Sequence, residues 1–370
     1  MGKLGFGLMR LPLLDPKNEK SIDKEQVCRM ADVFRERGFT YFDTAYMYHD
    51  HESERAVKDV LAKRYVRDSY TIATKLPLFH LEKEEDMERI FNEQLEKTGM
   101  EYFDYYLLHA MSGDRYEMVQ RLDSFGFISR KKAEGKIRHI GFSFHDKADV
   151  LDRILNDHPE TEFVQLQLNY LDWEDPKVQS RKCYETAVKH GKKVVVMEPV
   201  KGGTLAKLPP EAEKLLREIH PDWSNASWAI RFAASLENVM IVLSGMSSME
   251  QMLDNSGYMQ DIEPLGEAEK KALAQVVDII HEAAKIPCTA CRYCVEGCPM
   301  NIAIPDYFAL YNAKVDGSED SALKNRYTEI AKEHGKASDC VECGQCESVC
   351  PQQLKVTHYL KETAKLFENS

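Results

Sequence analysis

The sequence predicts an α/β protein: a (β/α)₈ barrel followed by a small, mainly α-helical, cysteine-rich domain. Three observations carry this. Eight short apolar runs recur over roughly the first 250 residues, amphipathic stretches separate them, and eight of the 10 cysteines fall between Cys288 and Cys350. Strands alternating with helices mean βαβ units and a parallel sheet, and eight such units in about 250 residues fit a closed barrel. A doubly wound sheet is the alternative, weakened because no G-x-G-x-x-G follows an early run.

The apolar runs are 5–9, 40–42, 70–74, 104–108, 137–142, 163–168, 194–197 and 240–243. The first helix shows both its ends. Asp23 with Gln26 three residues on makes a capping start, Val27, Met30, Ala31 and Phe34 make the apolar stripe, and Gly38 makes the stop. Further helical patterns cover 54–63, 86–97, 116–134, 146–155, 176–190 and 226–236. Residues 266–286 read as a helical connector that Pro287 ends. Helical patterns return at 304–314, 321–334 and 356–367. The expected division is a barrel over 1–265, a connector over 266–286 and a cysteine-rich domain over 287–370.

Composition removes several function classes. Hydrophobic residues are 43% and charged residues 30%, which builds a sizeable core and excludes disorder of the whole chain. Lys+Arg is 49 against Asp+Glu 61, a net charge of −12, which argues against a nucleic-acid partner. No apolar run reaches the ~18 residues a membrane helix needs. The first residues lack the basic start and small-residue cleavage site of a leader, so a soluble, cytoplasmic chain is expected.

The cysteines carry the most specific signal. Cys288-x₂-Cys291-x₂-Cys294-x₃-Cys298-Pro299 is repeated as Cys340-x₂-Cys343-x₂-Cys346-x₃-Cys350-Pro351. In this spacing three thiolates curl onto one iron cube and the fourth, before Pro, serves the other. One [4Fe-4S] cluster is thus expected on Cys288, Cys291, Cys294 and Cys350, the second on Cys340, Cys343, Cys346 and Cys298. Zinc is the competing metal, but it prefers paired C-x₂-C knuckles. The segment resembles a bacterial-type two-cluster ferredoxin, with 41 residues between the runs and a helical content closer to α-helical ferredoxin modules. Adjacent cubes imply one-electron transfer, hence a ferredoxin-like or other redox partner protein. Cys28 and Cys183 read as small core hydrophobes.

Barrel chemistry sits where strands end. The apolar runs end at Asp43, Lys75, His109, Ser143, Asn169, Glu198 and Ser244. Asp, Lys and His end three consecutive strands, and Tyr48 can fold back over the same mouth. A phenol has a pKa near 10, and a neighbouring ammonium favours the phenolate. Asp43 would hold Lys75 charged and aimed, His109 would orient a substrate oxygen, and Tyr48 would polarise a carbonyl about to accept hydride. His49 and His51 read first as solvated loop residues and second as lining for the mouth, and Trp173 and Trp223 are candidates to wall it.

Asp43-Thr44-Ala45-x₂-Tyr48, Ala73-Thr74-Lys75 and Leu107-Leu108-His109 match the tetrad of the aldo/keto reductases in order and approximate spacing. Gly141-Phe142-Ser143 and Leu243-Ser244-Gly245-Met246 resemble that family's cofactor segments. The resemblance covers roughly residues 1–260, and the whole chain resembles the subfamily that ends in a 4Fe-4S domain. It implies Tyr48 as general acid/base, Lys75 as its tuner, Asp43 as the partner of Lys75 and His109 as substrate orienter. It places Ser143 and Gln165 at a nicotinamide carboxamide and Met197 beside the ring. Pro199, Lys201, Gly202 and Gly203 would lie at the pyrophosphate, and Ser244, Gly245, Met246 and Asn255 at the adenosine end. Three positions depart from the pattern: Phe144 follows Ser143 in place of Asn, Met197 replaces an aromatic, and Gln251 falls where an Arg often grips the NADP 2′-phosphate. NADP or NAD is therefore expected, with a flavin as the alternative. The leading reading is an NAD(P)-dependent oxidoreductase acting on a small carbonyl or alcohol, coupled to two [4Fe-4S] clusters. The alternatives are a ferredoxin-fed reductase with substrate or flavin in the barrel, and a non-enzymatic electron-transfer subunit.

Overall fold

In a computed structural model the described residues are 2–282, 286–315 and 320–368. The chain divides into two compact units: Met1–Val200 with Asp222–Lys270, and Lys201–Pro221 with Lys271–Ser370. Residues 201–221, inside the range read as barrel, group with the cysteine-rich part.

The first unit is a closed barrel of eight parallel strands in sequence order. They are β1 (Leu4–Gly7), β2 (Tyr41–Asp43), β3 (Thr71–Pro77), β4 (Phe103–Met111), β5 (Ile137–Phe144), β6 (Phe163–Gln167), β7 (Lys193–Met197) and β8 (Val239–Ser244). All eight apolar runs become strands. β3, β4 and β5 run beyond the apolar stretch, so Lys75, His109 and Ser143 lie inside strands. Ladder hydrogen bonds do not require apolar side chains, which is why the pattern stopped short.

Side chains alternate across a strand with period two. Tyr41, Ala73, Leu107, Phe163, Val195, Ile241 and Leu243 pack together as one buried cluster. Their neighbours Phe42, Ile72, Leu108, Val164, Val194, Val196 and Val242 pack in a second cluster that includes the helices. Residues two steps beyond the first set share its side of the sheet: Asp43, Lys75 and His109. Gly141 is required here, because a Cβ on it would stand 2.4 Å from the Phe163 carbonyl oxygen.

Helix Lys24–Glu36 starts where Asp23 accepts from the Gln26 backbone N–H and buries Val27, Met30, Ala31 and Phe34. The stretch read as one helix over 116–134 is two, Gly113–Arg121 and Ser124–Ala133, because Asp123 takes a left-handed backbone (φ 51°) between them. Helix Met249–Tyr258 was not anticipated; its apolar stripe is short, and the Ser248 side chain caps it at the Gln251 N–H.

In the second unit, helices Ile304–Val315, Asp320–Glu333 and Val356–Phe367 follow the expected patterns. Its core joins Ile302, Tyr307, Phe308, Tyr327, Leu354, Val356 and Leu360 with Cys294 and Cys346. Among the described residues, no helix is long and apolar enough to cross a membrane.

Candidate functional site

Parallel pairing sets Asp43 opposite Ala73 and Lys75 opposite Leu107, so the three polar side chains climb the barrel wall strand by strand. Lys75 Nζ donates to Asp43 Oδ1 at 2.6 Å, to the Thr44 carbonyl at 2.7 Å and to Tyr48 Oη at 3.3 Å. Lys75 is 0% exposed and Asp43 2%. The Tyr48 and His109 rings meet edge-to-face with centroids 6.2 Å apart. The four residues picked from the sequence are therefore brought together at one end of the barrel.

Burial decides the electrostatics. It pushes the Tyr48 phenol well above its ordinary value, and Asp43 and Glu198 push the same way. Loss of water around the phenol outweighs the opposing charge of Arg10. Burial likewise lowers Lys75 and raises Asp43, each opposed by the other's charge. His109 is held far below its usual value by burial first, then by Lys75, His145 and Arg115, so its ring is neutral. His109 Nδ1, Asp43 Oδ2 and Gln165 Oε1 are buried without a hydrogen-bond partner.

Behind Lys75 lies a network that the sequence reading missed. Glu54 accepts from Thr74 Oγ1 at 2.7 Å and from Gln94 Nε2 at 2.6 Å, and Gln94 Nε2 also reaches the Lys75 carbonyl at 3.0 Å. Glu54 is fully buried, yet in sequence it reads as an ordinary first-turn helix residue. Arg115 and His145, both shifting His109, were also missed. Arg115 lies four residues past the end of β4, and His145 directly follows β5, just outside the apolar run that drew attention to Ser143.

The expected cofactor residues have varied settings. Ser143 Oγ accepts from the Ala110 N–H at 2.8 Å, and Gln165 Nε2 points to Met197 Sδ at 3.6 Å. Ser244 Oγ accepts from Asn255 Nδ2 at 2.8 Å, and Met246 is buried. Gln251 Oε1 accepts from the Ser247 N–H at 2.7 Å, and so serves its own loop. Gly245 backs onto the Arg10 side chain. Pro199 lies in the turn after β7. Lys201 and Gly202 are engaged inside the second unit, at Gln352 and Thr289, while a Cβ on Gly203 would meet nothing within 4 Å. His49 and His51 bond the backbone of Leu11, Glu19 and Tyr46, which makes them loop ties. Trp173 packs on Phe232, and Trp223 on Trp228 under Arg231.

The two cysteine runs repeat in backbone as well as in spacing. Ala290, Arg292 and Asn301 have positive φ, and so do Glu342, Gly344 and Gln353, each 52 residues further on. Short helices Tyr293–Glu296 and Gln345–Ser348 carry Cys294 and Cys346. Cys288, Cys291, Cys294 and Cys350 line one cavity, with Thr289, Ile304, Phe308 and Gln352 among its walls. Cys298, Cys340, Cys343 and Cys346 line another, with Met300, Ile302, Val341 and Leu360. Each cavity thus draws three sulfurs from one run and one from the other. All ten cysteines are free of disulfides.

Comparison with known proteins agrees with this architecture. Residues 3–278 match the aldo/keto reductase family, and residues 287–355 match a 4Fe-4S dicluster domain. An aldo-keto reductase of Mycolicibacterium vanbaalenii is 29% identical over 222 residues, 60% of this chain and 73% of that protein. L-galactose dehydrogenase of Arabidopsis thaliana is 24% identical, over 70% of this chain and 85% of that protein. Among solved structures, the holo form of an aldo-keto reductase from Bacillus halodurans superposes with a TM-score of 0.59 at 24% identity, covering 74% of this chain and 91% of that one. An aldo-keto reductase from Klebsiella pneumoniae in complex with NADPH gives 0.57 at 18% identity, covering 74% and 90%. The chain belongs to the aldo/keto reductase family and carries a C-terminal 4Fe-4S dicluster domain.

Proposed function

We propose that this protein reduces a small carbonyl compound, or oxidises the corresponding alcohol, with NAD(P) in the barrel, and that it exchanges single electrons through two [4Fe-4S] clusters with a redox partner protein. The observation that carries the reading is Lys75 Nζ, buried and shared between Asp43 Oδ1 at 2.6 Å and Tyr48 Oη at 3.3 Å. A structural ion pair alone needs no phenol, and a buried phenol alone needs no ammonium.

A nicotinamide, when bound, supplies or takes the hydride at the substrate carbon. The residues present fit such a group. Gln165 Oε1 is a buried acceptor lacking a donor, which a carboxamide N–H would provide. The chain's own residues do the rest. Tyr48, kept protonated by burial, gives its proton to the carbonyl oxygen as the carbon becomes tetrahedral. The Lys75 ammonium stabilises the phenolate left behind, and Asp43 keeps that ammonium aimed. Neutral His109 donates a hydrogen bond to the same oxygen and fixes its direction. Run backwards, the same groups take a proton from an alcohol.

The donor sets fit iron cubes: four thiols around each cavity, backed by Ile304 and Phe308 in one and Ile302 and Leu360 in the other. Such clusters, when assembled, accept one electron each, so a pair could take the two electrons of a hydride only through a one-electron intermediary or in separate turnovers. A flavin in the barrel is the second reading. Gln251 offers its side chain to Ser247 and no cation to a 2′-phosphate, which permits NAD in place of NADP and leaves room for that reading.

Anaerobic titration with NADPH and then NADH separates these. Bleaching of the iron–sulfur absorbance on addition of either supports the coupled dehydrogenase. Flavin absorbance in the purified protein supports the second reading. Binding of neither nicotinamide nor flavin overturns both.

A further inference from the structure

The 52-residue repeat makes the two cysteine cavities comparable wall by wall. Thr289 corresponds to Val341, and Met300 corresponds to Gln352. Thr289 and Gln352 both line the cavity of Cys288, Cys291, Cys294 and Cys350, and they are 2% and 5% exposed. Their counterparts Val341 and Met300 line the other cavity and are 60% and 38% exposed. One pair of wall positions is polar and covered, the other apolar and open.

Lys201 and Gly202, which belong to the same compact unit, lie against the covered pair. Lys201 is 3% exposed, and its Nζ donates to Gln352 Oε1 at 2.6 Å. Gly202 has φ 64°, and a Cβ there would stand 2.5 Å from the Thr289 carbonyl oxygen and 2.6 Å from its Cβ. Glycine is needed twice over, for the left-handed backbone and for the close approach. The two contacts grip the cradle on both its arms: Thr289 beside Cys288, and Gln352 two residues past Cys350.

We propose that Lys201 and Gly202 are positioning residues for the cluster of Cys288, Cys291, Cys294 and Cys350, and that they set it apart electrically from its repeat partner. This rests on reading the eight cysteines as cluster ligands. An electron added to a cube makes it more negative, and an ammonium one hydrogen bond behind the cradle wall stabilises that reduced form. Removing the charge lowers the reduced fraction at a given potential, whatever else Lys201 contacts. Gly202 keeps the Thr289 arm close enough for this to work. The other cavity has Met300 where this one has Gln352, and no such charge relay can form through a thioether.

The test is an anaerobic, mediator-equilibrated redox titration of the full-length, iron-loaded protein, followed by electron paramagnetic resonance. Cys291→Ser and Cys343→Ser assign each signal to its cluster. Iron content and the wild-type spectra test the ligand reading by themselves: protein that holds no clusters would remove that reading, separately from the loop variants. Lys201→Gln is expected to lower the reduced-to-oxidised ratio of the first cluster about tenfold at fixed potential, which is about 59 mV for one electron. The second cluster should stay unmoved, and Lys201→Arg should restore most of the loss. Gln352→Met, which copies the repeat partner, should give a shift of the same sign. Gly202→Ala should alter the first cluster's spectrum alone. Equal shifts in both clusters, no shift in either, a shift confined to the second cluster, or failure of Lys201→Arg to restore the ratio would each overturn the proposal. If Lys201→Gln does not assemble clusters, Gln352→Met and Lys201→Arg decide it by the same criteria.

Discussion

The barrel site and the cysteine cradles hold reactive side chains by opposite means. Asp43, Lys75 and His109 stand on three neighbouring strands whose ladder hydrogen bonds fix their heights, and the ammonium already contacts both the carboxylate and the phenol. Apart from Cys294 and Cys346, which sit on single-turn helices, the cluster cysteines stand on irregular loops, bent by left-handed residues such as Ala290, Arg292, Glu342 and Gly344. Their sulfurs surround cavities. The difference teaches that the barrel site is preorganised by its own backbone, whereas the cradles are shaped for a group that completes them.

Removing that group should break the comparison most visibly. Chelation of iron, or Cys346→Ser, is expected to unfold much of the second unit, because burying a lone thiol does not replace a cluster's bonds to four chain positions. Limited proteolysis should then cut within residues 286–368 while the barrel survives. Equal loss of both units would show that the barrel also depends on iron.

Tyr48→Phe is next in size. It should lower carbonyl reduction about 10²–10⁴-fold, the range of a lost general acid, and leave the iron content untouched. Full turnover in this variant would remove the tetrad from the mechanism. Asp43→Ala should destabilise the barrel by about 3–5 kcal/mol, since it strands a buried ammonium. Chemical denaturation checks this, and a change under 1 kcal/mol would mean that the pair is solvated in solution.

The smallest expected effect is a flat line. Burial raises the Tyr48 pKa, so its proton is present below and throughout the neutral range and is lost only above the ordinary phenol value near 10. Burial lowers the His109 pKa, so its ring stays neutral down through mildly acidic pH. The chemical step of reduction should therefore vary little from about pH 6 to 9, and the reverse oxidation should rise with pH. A fall in reduction centred near pH 7 would mean that Lys75 does lower the phenol after all.

Much of this was legible in the sequence because the signals are local. Eight apolar runs mark eight strands, and C-x₂-C-x₂-C-x₃-C-P marks three sulfurs that curl together and one that departs. Asp43, Lys75 and His109 could be selected because a polar residue closing an apolar strand pattern is visible at close range. Glu54, Gln94, Arg115 and His145 carried no such mark. Their roles come from packing between helices and strands far apart in the chain.

The chain's own pattern thus determined the barrel, the tetrad candidates and the repeat of cysteines, since period-two alternation and short spacings act over a few residues. Tertiary structure decided the rest. It sent Lys201 to Gln352, 151 residues away, and Gly202 to Thr289, contacts that no local pattern encodes. It also turned the Tyr48 phenol upward where a neighbouring lysine alone would turn it down, because desolvation is set by everything packed around a group, not by its neighbours in sequence.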